Sequence, residues 1–296
     1  MQIGITGFDP TIEGLERNLR EAAAQGFPSY WVPQIFGLDA LTAFAVAGRD
    51  LDIRIGTAVI PTYPRHPMML AQQALTTQSA IDGRLELGIG LSHKPVVEGM
   101  WGISFDKPVG HLRDYLSVLM PLLQDRRVSY GGEYVTGRGE ITPPAADAPP
   151  VLVAALGPQM LKLTGRMADG TITWMTGPKT LAELTVPTIT EAAADAGRPA
   201  PQVVASFPVC VTDDVGSARE RAAKEFEIYG QLPSYRAMID REGLAGPEDL
   251  AIIGSAAEVQ DRVSALADAG VTTTTAAAFG SAEELEATRE AMIGLL

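Results

Sequence analysis

Residues 53–93 read IRIGTAVIPTYPRHPMMLAQQALTTQSAIDGRLELGIGLSH. Two short apolar runs, Ile53 to Thr57 and Leu85 to Ile89, flank a longer stretch from Met68 to Asp82 with apolar residues at helical spacing and Gly83 as its stop. A strand, a helix and a second strand in that order form one βα unit of a parallel sheet. The same grammar runs outward on both sides. Toward the N-terminus lie Ile3 to Thr6 and Ser29 to Val32; toward the C-terminus lie Val151 to Ala155, Gly170 to Trp174, Val203 to Val211 and Thr272 to Ala276. In the first unit Thr11 can cap a helix, Leu15, Leu19 and Ala22 or Ala23 form its buried stripe, and Gly26 ends it. Gln159 to Ala168 before Gly170 and Ala256 to Ala269 before Gly270 repeat the pattern. Eight such units predict a closed (β/α)8 TIM barrel, with residues 1–296 as a single domain.

Two spans break the rhythm and read as insertions. Residues 94–149 hold a helix near Gly110 to Leu123 and a hairpin pattern, Val128 to Val135, with its turn at Gly131-Gly132; Pro143-Pro144 and Pro149-Pro150 stiffen the way into the fifth strand. Residues 215–255 read as one or two helices broken by Pro233 and Gly246-Pro247. Both spans are expected over the barrel mouth or its rim, where insertions shape access.

Composition narrows the function. Asp and Glu outnumber Lys and Arg 36 to 23, a net charge of -13 that argues against nucleic acid or an anionic membrane as partner. One cysteine, Cys210, excludes an internal disulfide, and its Val-Cys-Val setting predicts a buried strand position. The three histidines have no metal-ligand spacing. Met1 leads straight into a strand pattern without a basic n-region, and no apolar stretch is long enough to cross a membrane, which predicts a cytoplasmic protein. Phosphate-loop, serine-elbow and dinucleotide-fingerprint motifs are all missing.

In a parallel barrel, chemistry gathers where strands end. Three junctions are informative: Gly56 to Pro67 after the third strand, Gly83 to His93 through the fourth, and Pro150 to Gln159 through the fifth. On consecutive units they resemble the luciferase-like monooxygenase superfamily, specifically its coenzyme F420-dependent branch, over roughly Ile3 to Ile293. The resemblance implies a bacterial-luciferase-like barrel that transfers a hydride between F420 and a small organic substrate. An FMN-dependent monooxygenase or reductase is the alternative, and a cofactor-free barrel with a binding role is the third reading.

It also implies a set of residues. Ala58-Val59 matches a non-prolyl cis peptide that braces the ring, with Leu91 and Ser92 beside it after the fourth strand. Ala155-Leu156-Gly157-Pro158-Gln159 matches the loop that cradles the cofactor phosphate. Physically this is a helix N-terminus with unpaired N–H groups and a glycine that allows close approach. Thr173 and Thr176 could add hydroxyl donors. Gln34 stands where many relatives carry an acid or a histidine beside the ring, so a proton relay is not transferred through it. His93, just past the fourth strand, is the candidate catalytic residue, able to donate a proton or hydrogen bond near neutrality. His66 reads as structural and His111 as a rim residue. Tyr63, Trp101, Phe105 and Trp174 could line an apolar pocket. Lys94, Lys107 and Lys179 could meet the cofactor's charged tail, and a homodimer is implied.

Overall fold

The computed structural model describes residues 1–296. Its strands are β1 (Gln2–Thr6), β2 (Ser29–Val32), β3 (Arg54–Thr57), β4 (Ile60–Pro61), β5 (Leu85–Gly90), β6 (Arg127–Gly131), β7 (Thr136–Glu140), β8 (Val151–Val153), β9 (Gly170–Trp174), β10 (Gln202–Val211), β11 (Ile252–Gly254) and β12 (Thr273–Ala278). Eight of them run parallel in the order β1, β2, β3, β5, β8, β9, β10 and β12, and β12 pairs back onto β1 to close the barrel. These are the eight runs read from the sequence. β4 resumes the line of β3 beyond a two-residue bulge, and β11 extends the sheet beside Val209–Val211.

Around the barrel lie α1 (Ile12–Ala24), α2 (Ala40–Ala47), α3 (Pro67–Ala80), α4 (Lys94–Gly99), α5 (Pro108–Asp125), α6 (Pro158–Met167), α7 (Pro178–Thr180), α8 (Val186–Asp195), α9 (Val215–Glu225), α10 (Glu227–Gln231), α11 (Pro233–Glu242), α12 (Ala256–Ser264) and α13 (Ala282–Ile293). Thr11 caps α1 by accepting from the Gly14 N–H at 3.0 Å, and Leu15, Leu19 and Ala22 are its buried stripe. Between α7 and α8 the helix widens to a π turn, Leu181–Thr185. Pro187 has no N–H to donate, and its ring would crowd the carbonyl four residues back, so the wider turn relieves it.

The outward faces of the strands (Ile3, Ile55, Leu87, Ile89, Val153) pack on helix residues such as Leu19, Leu70, Leu116 and Leu161. Inside the barrel, Trp31, Leu152, Ile172 and Val204 form a separate plug. Trp31 fits because Gly56 faces it: a Cβ there would fall inside the indole. Nearer the mouth, the Thr6 hydroxyl donates to Thr275 at 2.9 Å, and Thr275 and Ser206 share a 2.5 Å hydrogen bond.

Residues 94–149 depart from the insertion reading. α5 packs between α3 and α6, with Leu112, Leu116, Leu119 and Leu123 fully or almost fully buried, so it is the ring helix of the fourth unit. Only α4 and the β6–β7 hairpin are additions. The hairpin turn spans 132–135, so Gly131 closes the strand and Gly132 opens the turn. The buried Asp114 carboxylate of α5 fixes that register by accepting from the Tyr130 hydroxyl at 2.8 Å and the Tyr134 N–H at 2.9 Å. In residues 215–255, Pro233 opens α11 rather than breaking a helix, and Gly243, at φ 77°, ends it. This segment packs on its own small core of Met175, Cys210, Ala222, Phe226 and Ile239.

Candidate functional site

The C-terminal ends of the strands meet in a mouth whose floor is apolar. The Ala58–Val59 peptide is cis, and both side chains pack on the Trp31 and Leu152 plug together with Ala154. Two glycines of the fourth barrel strand make that floor possible. A Cβ on Gly88 would strike the Thr57 carbonyl, and one on Gly90 would strike Val59. Leu91 is half-buried against the main core, and Ser92 turns the chain with φ 60°.

At the next strand, Ala155 is buried and Leu156-Gly157 lead into α6. Gly157 is the N-cap, no side chain caps the helix, and Pro158 is its first residue. A Cβ built on Gly157 meets nothing within 4 Å. No side chain accepts from the first-turn N–H groups of Gln159 and Met160, which lie at the positive end of the helix. Thr173 and Thr176 do not join them as free donors. Both are buried, and their hydroxyls donate to the main-chain carbonyls of Val204 (3.5 Å) and Trp174 (3.4 Å).

The three histidines separate by environment. His66 caps α3, accepting from the Met68 N–H at 3.2 Å through Nδ1, while Nε2 lies 3.1 Å from the Thr136 carbonyl. His111 is not a rim residue: it is 8 % exposed, stacks on Tyr63 at 3.9 Å between centroids, and bonds Thr62 at 3.2 Å. α5 turns it inward because α5 is a ring helix. His93 is the N-cap of α4 yet makes no capping bond; its ring meets the edge of Tyr235 at 5.8 Å. Burial lowers its pKa from the ordinary imidazole value, which favours the neutral ring.

Gln34 is spent locally, its side-chain carbonyl accepting from the Ala40 N–H at 3.0 Å and ordering the approach to α2. Of the four predicted aromatics, Trp174 packs on Phe226 and Tyr229, whereas Tyr63 and Phe105 pair with each other at 5.3 Å. Tyr63 lines a cleft of about 770 Å³ outside the barrel, with Arg65, His111, Tyr115 and Tyr134. Lys94 and Lys107 reach Glu98 (3.7 Å) and Glu133 (3.3 Å) on the surface. No cluster of three metal-ligating side chains exists, and no helix is long and apolar enough to cross a membrane. Sequence reasoning missed Tyr229 and Tyr235 of α10 and α11. No local signal marks them, since their partners Trp174 and His93 lie far away in the chain.

Fold and site together define a barrel of the bacterial-luciferase architecture. The luciferase-like monooxygenase profile matches residues 4–273, and the chain belongs to that family. A Mycobacterium tuberculosis protein named as a coenzyme F420-dependent oxidoreductase is 29% identical over 238 residues, 75% of this chain and 67% of that one. Among solved structures, an F420-dependent secondary alcohol dehydrogenase holding an F420-acetone adduct superposes with a TM-score of 0.82 at 19% identity, covering 100% of this chain and 99% of that one. The FMN-bound oxygenating component of 3,6-diketocamphane monooxygenase from Pseudomonas putida superposes with a TM-score of 0.75 at 17% identity, covering 100% and 99%.

Proposed function

We propose that this protein is a coenzyme F420-dependent oxidoreductase that transfers a hydride between the deazaflavin and a small organic substrate. The observation that carries this reading is the uncapped N-terminus of α6 at Gly157, two barrel strands along from the apolar cis floor at Ala58–Val59, with only β5 between. A planar ring needs such a floor, and its phosphate needs such a helix end. The name of the mycobacterial relative supports F420 over FMN.

When bound, the cofactor supplies the hydride chemistry. The chain supplies the rest. Ala58 and Val59 would support the ring, Gly157 with the N–H groups of Gln159 and Met160 would hold the phosphate, and Leu91 and Ser92 would flank the ring. His93, whose burial favours the neutral ring, would donate a hydrogen bond to the substrate or exchange a proton with it. Gln34 takes no part in that exchange, since its carbonyl is held by Ala40.

Fluorescence titration of the cofactor-free protein with F420 and with FMN tests the assignment, repeated on Gly157→Leu. Open space around Gly157 and its ordinary φ of -84° let this variant fold, at a cost of about 1 kcal/mol or less for exchanging a glycine N-cap for leucine. It should nevertheless bind F420 about tenfold more weakly, the scale of a lost helix-terminus contact. Preferential FMN binding moves the assignment to a flavin enzyme, and binding of neither leaves a cofactor-free barrel.

A further inference from the structure

We infer that Tyr235 is a positioning residue for His93, carried to it by a roof segment, α10 and α11, that lies across the barrel mouth. The inference rests on the reading of that mouth as an oxidoreductase site. A line of aromatic contacts spans it: Trp174 at the end of β9 meets Tyr229 at 6.1 Å, Tyr229 meets Tyr235 at 4.9 Å, and Tyr235 meets His93 at 5.8 Å. β8, which leads into the Gly157 loop, lies between the two strands whose ends this line connects.

His93 uses its ring differently from His66. Both histidines are N-caps; His66 turns back to cap its helix, whereas His93 gives up its cap and lies against Tyr235. The charges nearby are engaged elsewhere. Lys94 pairs with Glu98, Arg236 with Asp240, Arg241 with Glu183, and the Glu242 carboxylate accepts the N–H groups of Lys179 and Thr180. Burial, to which the roof contributes, is thus the one influence that moves the imidazole from its ordinary titration, and it does so downward. Tyr235 shields the ring from water and fixes its plane, so His93 meets the substrate as a neutral, oriented hydrogen-bonding group.

Histidine-labelled, cofactor-free full-length protein tests this by NMR, because the chain has only three imidazoles and His93→Gln assigns the relevant one. In the wild type, the His93 carbon-bound ring proton should carry a ring-current shift from Tyr235, and its titration midpoint should lie below that of free imidazole. Tyr235→Phe keeps both signatures; Tyr235→Ala loses the ring-current shift and moves the midpoint upward. Tyr235→Leu, which retains apolar bulk, loses the ring-current shift and provides the reading if the alanine variant does not fold. Unchanged His93 signals in folded Tyr235→Ala or Tyr235→Leu overturn the inference. F420 added to wild type should then shift the His93 resonance and leave His66 in place; the perturbation shrinks in Tyr235→Ala. If F420 fails to bind at all, the functional assignment falls, while the cofactor-free spectra still decide the role of Tyr235.

Discussion

His111 and His93 sit only eighteen positions apart, yet one is a core residue and the other faces the mouth. Burial pushes the His111 pKa down to about 4, against a weaker upward pull from Asp114. The folded value lies below the unfolded one, so as pH falls the unfolded chain takes up the proton first. The stabilisation is complete above about pH 6.5 and is lost progressively down to about pH 4. A shift of that size corresponds to at most about 3 kcal/mol, and to less here because the ring borders the cleft beside Tyr63. Urea unfolding at pH 7, 6, 5 and 4 should show this loss in the wild type, and His111→Phe, which keeps a ring stacked on Tyr63, should flatten it. Parallel pH slopes for the two proteins would assign the acid sensitivity elsewhere. Sequence misplaced only His111 at the rim, because its spacing in α5 gives its helical phase but not which face the barrel claims. For His66, a Pro at the next position was enough to read a helix start.

Among the elements, the barrel strands were the most legible, since each is a bounded apolar run with its own helix and glycine stop. α2, in contrast, is apolar on all sides and shows no period, and β11 is three residues long, too short for any pattern to register. The roof was the least legible. Its placement rests on contacts with distant parts of the chain, among them Glu242 at the end of α11, which accepts from the Thr180 N–H at 2.5 Å and the Lys179 N–H at 3.3 Å and so caps a helix that has no side-chain cap of its own. Position 177 must be glycine for this closure, because a Cβ there would overlap the carboxylate. Glu242→Ala should therefore raise amide hydrogen exchange across residues 227–242 and leave the barrel strands protected, with a loss of about 2 kcal/mol for the two hydrogen bonds the half-buried carboxylate accepts. Uniform exchange changes across the barrel would refute the latch, and no change within 227–242 would make it dispensable.

On the scale of the molecule, the two ends of the barrel are assigned different work. The mouth collects the cis floor, the open α6 terminus and the aromatic roof; the opposite end is closed by polar groups. There Arg54, at the start of β3, pairs with the almost fully buried Glu86 of β5 at 2.5 Å and reaches the Gln2 carbonyl of β1. Burial raises the Glu86 pKa and Arg54 opposes the rise, so the guanidinium is what keeps a carboxylate tolerable inside the barrel. Removing it alone, as Arg54→Met, leaves a buried carboxylate without a partner. The cost should be about 2 kcal/mol, less than for a fully dry pair because Arg54 is itself 36% exposed. Replacing both, as Arg54→Met with Glu86→Leu, removes the stranded charge and should restore most of that loss. Neither protein should bind F420 differently from the wild type, since the pair lies at the end of the barrel remote from the strand C-termini. Chemical denaturation and F420 titration on the same three proteins read the two ends independently. A double variant no more stable than Arg54→Met would mean that the ion pair itself holds β1, β3 and β5 in register, and weakened cofactor binding in either would show that the two ends are coupled through the Trp31 plug.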